Sequence, residues 1–225
     1  MTEFSASAPL QVVISGGAGD LARALAAEFR QQGDCIHAPP RAEMDVRDEA
    51  QVDRLFSSLN QLDVLIANAG LTRDGVLTGL SDAHFADALD VNLRGAFLCA
   101  RAAIKLMLKE RSGHILFIGS RAAKHGTHGQ SVYAAAKAGL IALAQSIARE
   151  YGPRNIRCNV VLPGFLETRL TAPLPAARRE AIRNEHVLGR FNTVDNAARF
   201  IASLARLDHV SGQVFTLDSR LDRWT

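Results

Sequence analysis

The chain has 225 residues, of which 48% are hydrophobic and 22% are charged, with 26 basic and 23 acidic residues. This length suits one domain, and the apolar share is too high for a disordered chain. The sequence pI of about 9.0 comes without a basic run interleaved with aromatic residues, which argues against a nucleic-acid partner.

Short apolar segments alternate with longer helical patterns along the chain. The predicted strands are residues 11–15, 35–36, 44–46, 62–67, 114–118, 156–162 and 213–217. The predicted helices are residues 21–32, 49–59 with Asp48 as N-cap, 81–110 with a break near Asn92, 131–151 and 194–206. Residues 165–190 are rich in Pro and Arg and indicate an irregular segment.

Most of the predicted strands are apolar along their whole length, which is typical of strands buried on both faces. Helices between such strands supply right-handed crossovers, so the pattern predicts a single-domain α/β fold with a Rossmann-type doubly wound parallel sheet. Ligands bind at the carboxyl ends of the strands in these sheets. The segments that follow the strands are therefore where we expect the chemistry.

Tyr133 and Lys137 are four residues apart in a predicted helix, so their side chains share one face. A nearby ammonium group lowers the pKa of a phenol, which could then exchange a proton with a substrate oxygen near neutral pH. Such a pair is also common in helices that have no catalytic role. The pair alone therefore does not identify an active site.

Two further polar residues favour the catalytic interpretation. Ser120 follows the strand 114–118, so its hydroxyl is expected at the carboxyl end of the sheet, within reach of the same substrate oxygen as Tyr133. Asn92 lies inside a long helical stretch, where Asn is unfavourable. It indicates either a kink alone or an amide that orders a water molecule linked to Lys137.

A Gly-rich turn follows the first strand, with the sequence Ser15-Gly16-Gly17-Ala18-Gly19-Asp20-Leu21. Such a turn lets backbone N–H groups approach a pyrophosphate at a helix N-terminus. The acidic residue that would bind an NAD ribose about 20 residues later is missing. Arg41 could instead pair with a 2′-phosphate, which indicates NADP with NAD as the alternative. It could equally be a solvated loop arginine.

The cysteines and the amino terminus indicate a cytoplasmic chain. Cys35, Cys99 and Cys158 are odd in number, widely spaced and beside apolar runs, which predicts buried thiols in a reducing compartment and no metal site. Residues 1–10 lack the basic stretch of a secretory signal. No continuous apolar run reaches the roughly 18 residues of a membrane span, so we expect no membrane partner.

In combination these residues resemble the short-chain dehydrogenase/reductase family over nearly the whole chain. The motifs that carry the resemblance are Asn68-Ala69-Gly70, Asn92, Ser120, Tyr133-x-x-x-Lys137, and Pro163-Gly164 followed by Thr168. Within the family the chain is most similar to the 3-oxoacyl-(acyl-carrier-protein) reductases. This likeness lies in residues 68–74, 133–140, 163–168 and 188–191.

The resemblance implies a role for each catalytic residue. Tyr133 would donate a proton to the carbonyl, Lys137 would lower the phenol pKa and bind the nicotinamide ribose, Ser120 would polarise the carbonyl, and Asn92 would hold the relay water. With the Gly-rich turn and Arg41, the expected cofactor residues are Ser15, Gly16, Gly17, Ala18, Gly19, Leu21, Arg41, Asp45, Val46, Asn68, Ala69, Gly70, Tyr133, Lys137, Pro163, Gly164, Leu166 and Thr168.

The chain departs from the family pattern mainly at the cofactor end. Asp20 and Ala22 stand where glycines are usual, and an aspartate there would repel a pyrophosphate unless it pointed away or capped the helix. The segment between the second and third predicted strands is too short for the usual helix. Asp218-Ser219-Arg220 replaces the usual Gly-Gly near the end of the chain.

The resemblance favours reduction of a 3-oxoacyl thioester carried by acyl carrier protein or coenzyme A. Arg111 and Arg154 occupy the places of two arginines that dock the acidic carrier, although both could be ordinary surface residues. Dehydrogenation of a sugar, polyol or other secondary alcohol is the alternative, and residues 165–190 would be the mobile lid that selects the substrate. A non-catalytic dinucleotide-binding scaffold is a third hypothesis. Apolar positions on several faces of the long helices predict an oligomer, and the resemblance implies a homodimer or homotetramer.

Overall fold

Six parallel strands form one sheet in the computed structural model of the protein, which describes residues 8–221. The sheet order is β2-β1-β3-β4-β5-β6, and every neighbouring pair is parallel. The strands are β1 (Gln11–Ile14), β2 (Cys35–His37), β3 (Val64–Ala67), β4 (Gly113–Ile118), β5 (Ile156–Leu162) and β6 (Val214–Thr216). The predicted doubly wound, Rossmann-type sheet is thus confirmed.

Helices cover both faces of the sheet. On one face, α1 (Asp20–Gln31) and α8 (Val194–Ala205) pack against residues such as Val12 and Ile14. On the other face, α2 (Glu49–Ser57), α4 (Gly95–Glu110) and α6 (Ser131–Tyr151) pack against residues such as Val13. Successive side chains of a strand point to opposite faces, so strands covered on both sides must be apolar throughout.

Shorter helical segments complete the fold. They are the 3₁₀ turns Leu77–Gly79 and Gly152–Arg154, α3 (Asp82–Leu89), the π-helical turn Asp90–Arg94, α5 (Ala122–His125) and α7 (Ala176–Asn184). The π-helical turn is the predicted break near Asn92. In contrast, α7 corrects the prediction that residues 165–190 are irregular. None of its residues is buried, so it lacks the apolar periodicity by which helices are recognised in a sequence.

The third predicted strand, residues 44–46, is not a strand. Met44 and Val46 are buried in the core beside α4, so their apolar character reflects packing rather than strand pairing. The helix expected to be missing before this segment is indeed absent, because residues 38–48 lead directly to α2. As a result β2 is an edge strand, and Cys35 is exposed rather than buried, whereas Cys99 and Cys158 are buried as predicted.

The segment Ser131–Arg154 is long and apolar enough to cross a membrane, with a mean hydropathy of 1.3 in its most apolar window. No continuous apolar run marks this segment in the sequence, because its alanines and glycines are interspersed with polar residues. Here α6 packs along β5 and α3, and one face buries Lys137, Leu140 and Ile147. It is therefore a helix of the core layer.

Candidate active site

The turns after β1 and β3 are bonded to each other at the carboxyl edge of the sheet. The buried Ser15 hydroxyl accepts hydrogen bonds from the backbone N–H groups of Asn68 and Ala69 at 3.0 and 3.1 Å. The side-chain amide of Asn68 donates to the Ser15 carbonyl at 3.2 Å. Gly16 has a φ of +70°, and a Cβ there would lie 2.9 Å from the Cα of Ala69. These hydrogen bonds and close contacts hold the two turns against each other, and they engage the Ser15 hydroxyl.

Asn92 holds the loop at Leu71, which follows the turn after β3. Its side-chain N–H groups donate to the carbonyls of Ala88 and Leu71, both at 2.9 Å, and its Oδ1 accepts from the Leu71 N–H at 3.3 Å. A Cβ at Gly70 would lie 3.0 Å from Asn92 Oδ1 and 3.5 Å from Lys137 Nζ. The structure thus brings Asn92 and Lys137 together beside Gly70.

Ser120, Tyr133 and Lys137 meet beside this loop. The Ser120 and Tyr133 hydroxyls are hydrogen-bonded, and Lys137 Nζ lies 5.7 Å from the centre of the Tyr133 ring. The buried Lys137 Nζ donates to the Ile118 carbonyl at 2.8 Å. The i,i+4 spacing on α6 and the position of Ser120 after β4 together produce this arrangement.

The ionisation of Tyr133 differs from the prediction. Burial raises the pKa of the phenol, the hydrogen bond with Ser120 lowers it, and nearby Asp74 raises it. Burial also lowers the pKa of Lys137 to about 8. The predicted lowering of the Tyr133 pKa by Lys137 is wrong for this arrangement, because desolvation of the phenolate outweighs the hydrogen bond with Ser120, which is the effect that lowers the pKa. The phenol therefore keeps its proton at neutral pH.

The Gly-rich turn leads into α1 without a side-chain cap. Gly19 is the N-cap residue, so no N-cap side chain accepts a hydrogen bond from the first turn of the helix. Gly17 donates its N–H to the Pro39 carbonyl at 2.9 Å, and a Cβ at Gly17 would lie 2.0 Å from the Ala38 carbonyl oxygen. Residues 38–40 thus pack directly on the turn, while the side chain of Leu21 is part of the core.

Asp20 points towards the segment after β5. The Arg169 backbone N–H donates to Asp20 Oδ2 at 2.7 Å, and Arg169 Nε donates to Oδ1 at 2.9 Å. Arg169 Nη2 also donates to the Ala18 carbonyl. These bonds hold the pKa of Asp20 below its usual value. Sequence reasoning missed Arg169, because 149 residues separate it from Asp20 and no local pattern links them.

On the expected adenosine side, arginines surround Asp45. Arg47 Nη2 and Arg41 Nε lie 2.7 and 3.1 Å from Asp45 Oδ2, and the Arg47 hydrogen bonds hold the pKa of Asp45 well below its usual range. The Arg41 side chain is 70% exposed. Val46 is buried against Gly95, where a Cβ would lie 2.6 Å from Val46 Cγ2. Arg47 was not among the predicted residues.

The expected nicotinamide side begins directly after β5. Gly164 has a φ of +81°, and a Cβ there would lie 2.6 Å from the Leu217 carbonyl oxygen, which explains the glycine after Pro163. The Leu166 carbonyl accepts from Thr171 Oγ1 at 2.7 Å, and the Thr168 N–H donates to the same hydroxyl at 3.0 Å. Thr171 thus shapes this turn.

Replacement of the usual Gly-Gly near the chain end is explained by a buried ion cluster. The Asp218 carboxylate lies 3.0 Å from His186 Nε2 and accepts from Arg220 Nε at 3.0 and 3.1 Å. The side chains of Asp218 and His186 are 0% and 2% exposed. The cluster fastens the end of the 165–190 segment to the chain terminus.

Arg111 and Arg154 lie together, but away from Tyr133. Arg111 directly follows α4 and donates from Nη2 to the Pro153 carbonyl at 3.3 Å, next to the exposed Arg154. They precede β4 and β5, so the pair lies at the amino edge of the sheet. Ser120 and Tyr133 lie at the opposite, carboxyl edge.

The residues at the carboxyl edge fit a nicotinamide dinucleotide. The uncapped first turn of α1 offers N–H groups to a pyrophosphate, and Gly70 leaves the space between Asn92 and Lys137 free of a side chain. Asp20 is compatible with this use because Arg169 neutralises it. Among residues 8–221, no group of three or more His, Cys, Asp or Glu side chains could hold a metal ion.

Comparison with known proteins gives a consistent result. A family model described as enoyl-(acyl carrier protein) reductase matches residues 6–219. The chain is 34% identical over 221 residues to the 3-oxoacyl-[acyl-carrier-protein] reductase FabG of Aquifex aeolicus, covering 95% of this chain and 88% of the relative. It is 37% identical over 172 residues to the protein of the same name from Thermotoga maritima, covering 76% and 70%. Against the Escherichia coli protein it is 38% identical over 157 residues, covering 70% and 64%.

Proposed function

The chain belongs to the short-chain dehydrogenase/reductase family and is an oxidoreductase that uses a nicotinamide dinucleotide, and on this basis we propose that it reduces a 3-oxoacyl thioester to the 3-hydroxyacyl thioester. The observation that carries the proposal is the hydrogen bond between Ser120 and Tyr133 beside the buried Lys137. The relatives are named as 3-oxoacyl reductases, which supports a thioester over a polyol.

The protonation state of Tyr133 suits reduction rather than oxidation at neutral pH. When bound, the cofactor supplies the hydride that reduces the carbonyl carbon. Tyr133 donates its phenolic proton to the carbonyl oxygen, and the Ser120 hydroxyl donates a hydrogen bond that orients and polarises the same oxygen. Since burial raises the Tyr133 pKa, the phenol is protonated and neutral before the substrate binds.

Lys137 restores that proton and holds the cofactor, and Asn92 positions the loop beside it. Lys137 Nζ uses one N–H group on the Ile118 carbonyl, which leaves two for the nicotinamide ribose and a relay water. Asn92 keeps the loop at Gly70 in place beside Lys137. The Leu166 backbone and Thr168 bind the carboxamide, and the 165–190 segment acts as the substrate lid.

Replacement of Tyr133 by Phe tests the assignment. We expect Tyr133→Phe to lower kcat by at least roughly 100-fold, since general acid catalysis typically contributes 10²–10⁴, with little change in the Kd for the cofactor. Reduction of a 3-oxoacyl-coenzyme A or acyl-carrier-protein substrate is followed through loss of nicotinamide absorbance. Tyr151→Phe, at the other end of α6, is the matched control and should leave kcat unchanged.

Other outcomes would favour other functions. Wild-type protein that ignores thioesters but oxidises a polyol would replace the proposed substrate class. Tight cofactor binding without turnover on any carbonyl would instead indicate the scaffold function.

For the cofactor we propose NADP, with Arg41 binding the 2′-phosphate. Arg41 is the most exposed arginine around Asp45, and it can turn to a phosphate while Arg47 keeps Asp45 paired. Arg41→Ala should raise the Kd of NADPH about tenfold and leave that of NADH unchanged. Fluorescence titration of both cofactors measures this, and Arg54→Ala on α2 is the control. A preference for NADH in the wild type would point to a catabolic alcohol dehydrogenase.

For partners we propose an acyl carrier protein docked on Arg111 and Arg154, and a cytoplasmic homodimer or homotetramer. The arginines are exposed and adjacent, as an acidic partner requires. Phe85, Phe97 and Leu108 on α3 and α4 are exposed, which supports a subunit interface on that side.

A further inference from the structure

We propose that Arg169 binds the pyrophosphate of the cofactor and that Asp20 holds it in position. This inference rests on the dinucleotide-binding site described above and adds a residue from the 165–190 segment to it. Arg169 was not among the residues expected from the sequence or from the family pattern, which places a glycine at position 20.

The geometry places Arg169 directly over the start of α1. Asp20 is the first residue of that helix, and both its carboxylate oxygens accept from Arg169, at 2.7 Å from the backbone N–H and 2.9 Å from Nε. The third bond, from Nη2 to the Ala18 carbonyl, fixes the guanidinium beside the Gly-rich turn. This is where the uncapped N–H groups of α1 would meet a phosphate.

Charge explains why the pair is needed. A pyrophosphate is attracted by the positive end of a helix dipole, but a carboxylate on the first helical residue opposes that attraction. Arg169 neutralises Asp20 and still has N–H groups beyond the two that bond to Asp20 and Ala18. Guanidinium groups bind phosphate oxygens through such paired N–H donors. The lid arginine thereby supplies the positive charge at a turn where the sequence has an acid.

The competing interpretation is that the pair only fastens residues 165–190 to the turn. The two side chains are 63% and 27% exposed, and ion pairs of this exposure contribute little to folding stability. A simple fastening predicts that losing either partner has the same consequence. Phosphate binding by Arg169 predicts unequal consequences, because loss of Arg169 removes the phosphate contact and leaves Asp20 unpaired, whereas loss of Asp20 leaves Arg169 available.

A double-mutant cycle separates these interpretations. The variants are Arg169→Ala, Asp20→Gly and the double variant, and the measurement is the Kd of NADPH and of NADH by fluorescence titration. We expect Arg169→Ala to raise both Kd values roughly 10- to 100-fold, the range for losing hydrogen bonds to a charged group. Asp20→Gly should change Kd by no more than about threefold. The double variant should recover only the part of the affinity that the unpaired carboxylate removed, and it should still bind clearly more weakly than Asp20→Gly, because the phosphate contact of Arg169 is lost. Full recovery to the level of Asp20→Gly would show that Arg169 only neutralises Asp20, and would overturn the inference.

Two controls accompany the cycle. Arg178→Ala removes an equal charge from an exposed position of α7 and should leave both Kd values unchanged. The midpoint of thermal unfolding, measured without cofactor, should be similar for all variants, so that a lost affinity is not a lost fold. Raising the salt concentration should weaken cofactor binding more in the wild type than in Arg169→Ala.

Three further results would overturn the inference. Equal losses in Arg169→Ala and Asp20→Gly without recovery in the double variant would leave only a fastening role. Unchanged Kd values in all variants would remove any role. Recovery that occurs equally with nicotinamide mononucleotide, which lacks the pyrophosphate, would place the effect elsewhere. Wild-type protein that binds neither dinucleotide would instead contradict the proposed function itself.

Discussion

At the scale of single residues, Lys137 is an ammonium group enclosed by the protein interior. Burial lowers its pKa from an ordinary 10.5 to about 8. Below pH 8 the folded and unfolded chains are both protonated, so the folded state carries the full desolvation penalty. Between pH 8 and 10.5 the folded chain releases its proton first, and the free energy of unfolding rises with pH.

Lys137→Met should therefore separate stability from activity. At pH 7 we expect the variant to be inactive but about 1–2 kcal/mol more stable, since the relieved penalty exceeds the lost hydrogen bond to Ile118. The gain should shrink towards pH 10. Urea denaturation at both pH values measures it, with Lys109→Met on the exposed side of α4 as control. A variant destabilised equally at pH 7 and pH 10 would contradict this account.

The residues that could be predicted from the sequence are those whose position follows from local geometry. Tyr133 and Lys137 share a helix face, and Ser120 ends up beside them because it follows a buried strand. The partnership of Asp20 with Arg169 depends on two distant loops, and no periodicity or spacing encodes it. The direction of the Tyr133 pKa shift was predicted wrongly, because the burial of the phenol depends on the tertiary structure and cannot be inferred from neighbouring residues in the sequence.

At the scale of elements, a buried polar network joins β4, β5 and the end of α8. The Asn159 amide is oriented by donating to the Val210 carbonyl at 2.8 Å and by accepting from the Gln213 N–H at 2.9 Å. Its Nδ2 therefore donates to His114 Nε2 at 2.8 Å, and His114 Nδ1–H donates to the Ala205 carbonyl at 3.2 Å. The imidazole is thus neutral, with its proton on Nδ1.

This network predicts sensitivity to acid. Burial lowers the pKa of His114 from an ordinary 6.5 to about 4. As the pH falls from 6.5 to 4, the unfolded chain takes up a proton that the folded chain does not, so up to about 3 kcal/mol of stability is lost. His114→Gln should flatten the pH dependence of the unfolding free energy in this window. The exposed His209→Gln should leave the slope unchanged, and an unaltered slope in His114→Gln would refute the assignment.

Prediction of elements succeeded where amphipathic or fully buried patterns were long. The helices at α1, α4, α6 and α8 and the central strands were found for this reason. Residues 44–46 were wrongly predicted to be a strand, because buried apolar side chains in a loop give the same sequence pattern as those in a short strand. The helix α7 was missed because none of its side chains is buried.

At the scale of the whole molecule, the two arginines proposed to dock the carrier and the proposed catalytic residues lie at opposite edges of the sheet. β4 has six residues, so it alone separates the edges by roughly 20 Å. A carrier docked on Arg111 and Arg154 would therefore present its thioester more readily to another subunit than to its own. Carrier-dependent reduction would then need an oligomer.

Mixed oligomers test this expectation. One parent carries Tyr133→Phe, and the other carries Arg111→Glu with Arg154→Glu. Each parent should be nearly inactive with an acyl-carrier-protein substrate, and co-expression should restore activity in the mixed species. The second parent should retain activity on the small coenzyme A thioester. Failure of the mixed oligomer to recover, despite verified assembly, would place docking on the catalytic subunit itself.

The loss of a third strand leaves β2 at the rim of the sheet, with β1 as its neighbour among the described residues. Such a rim exposes unpaired backbone groups on which another chain can template a strand, the usual start of aggregation. Here the strand is only three residues long, and Pro39 and Pro40 follow it closely. Proline lacks an N–H and cannot extend a ladder of hydrogen bonds, so Pro39 and Pro40 prevent another strand from pairing along a longer stretch of this edge. The short loop that packs on the Gly-rich turn thus also limits the addition of a further strand at this edge of the sheet.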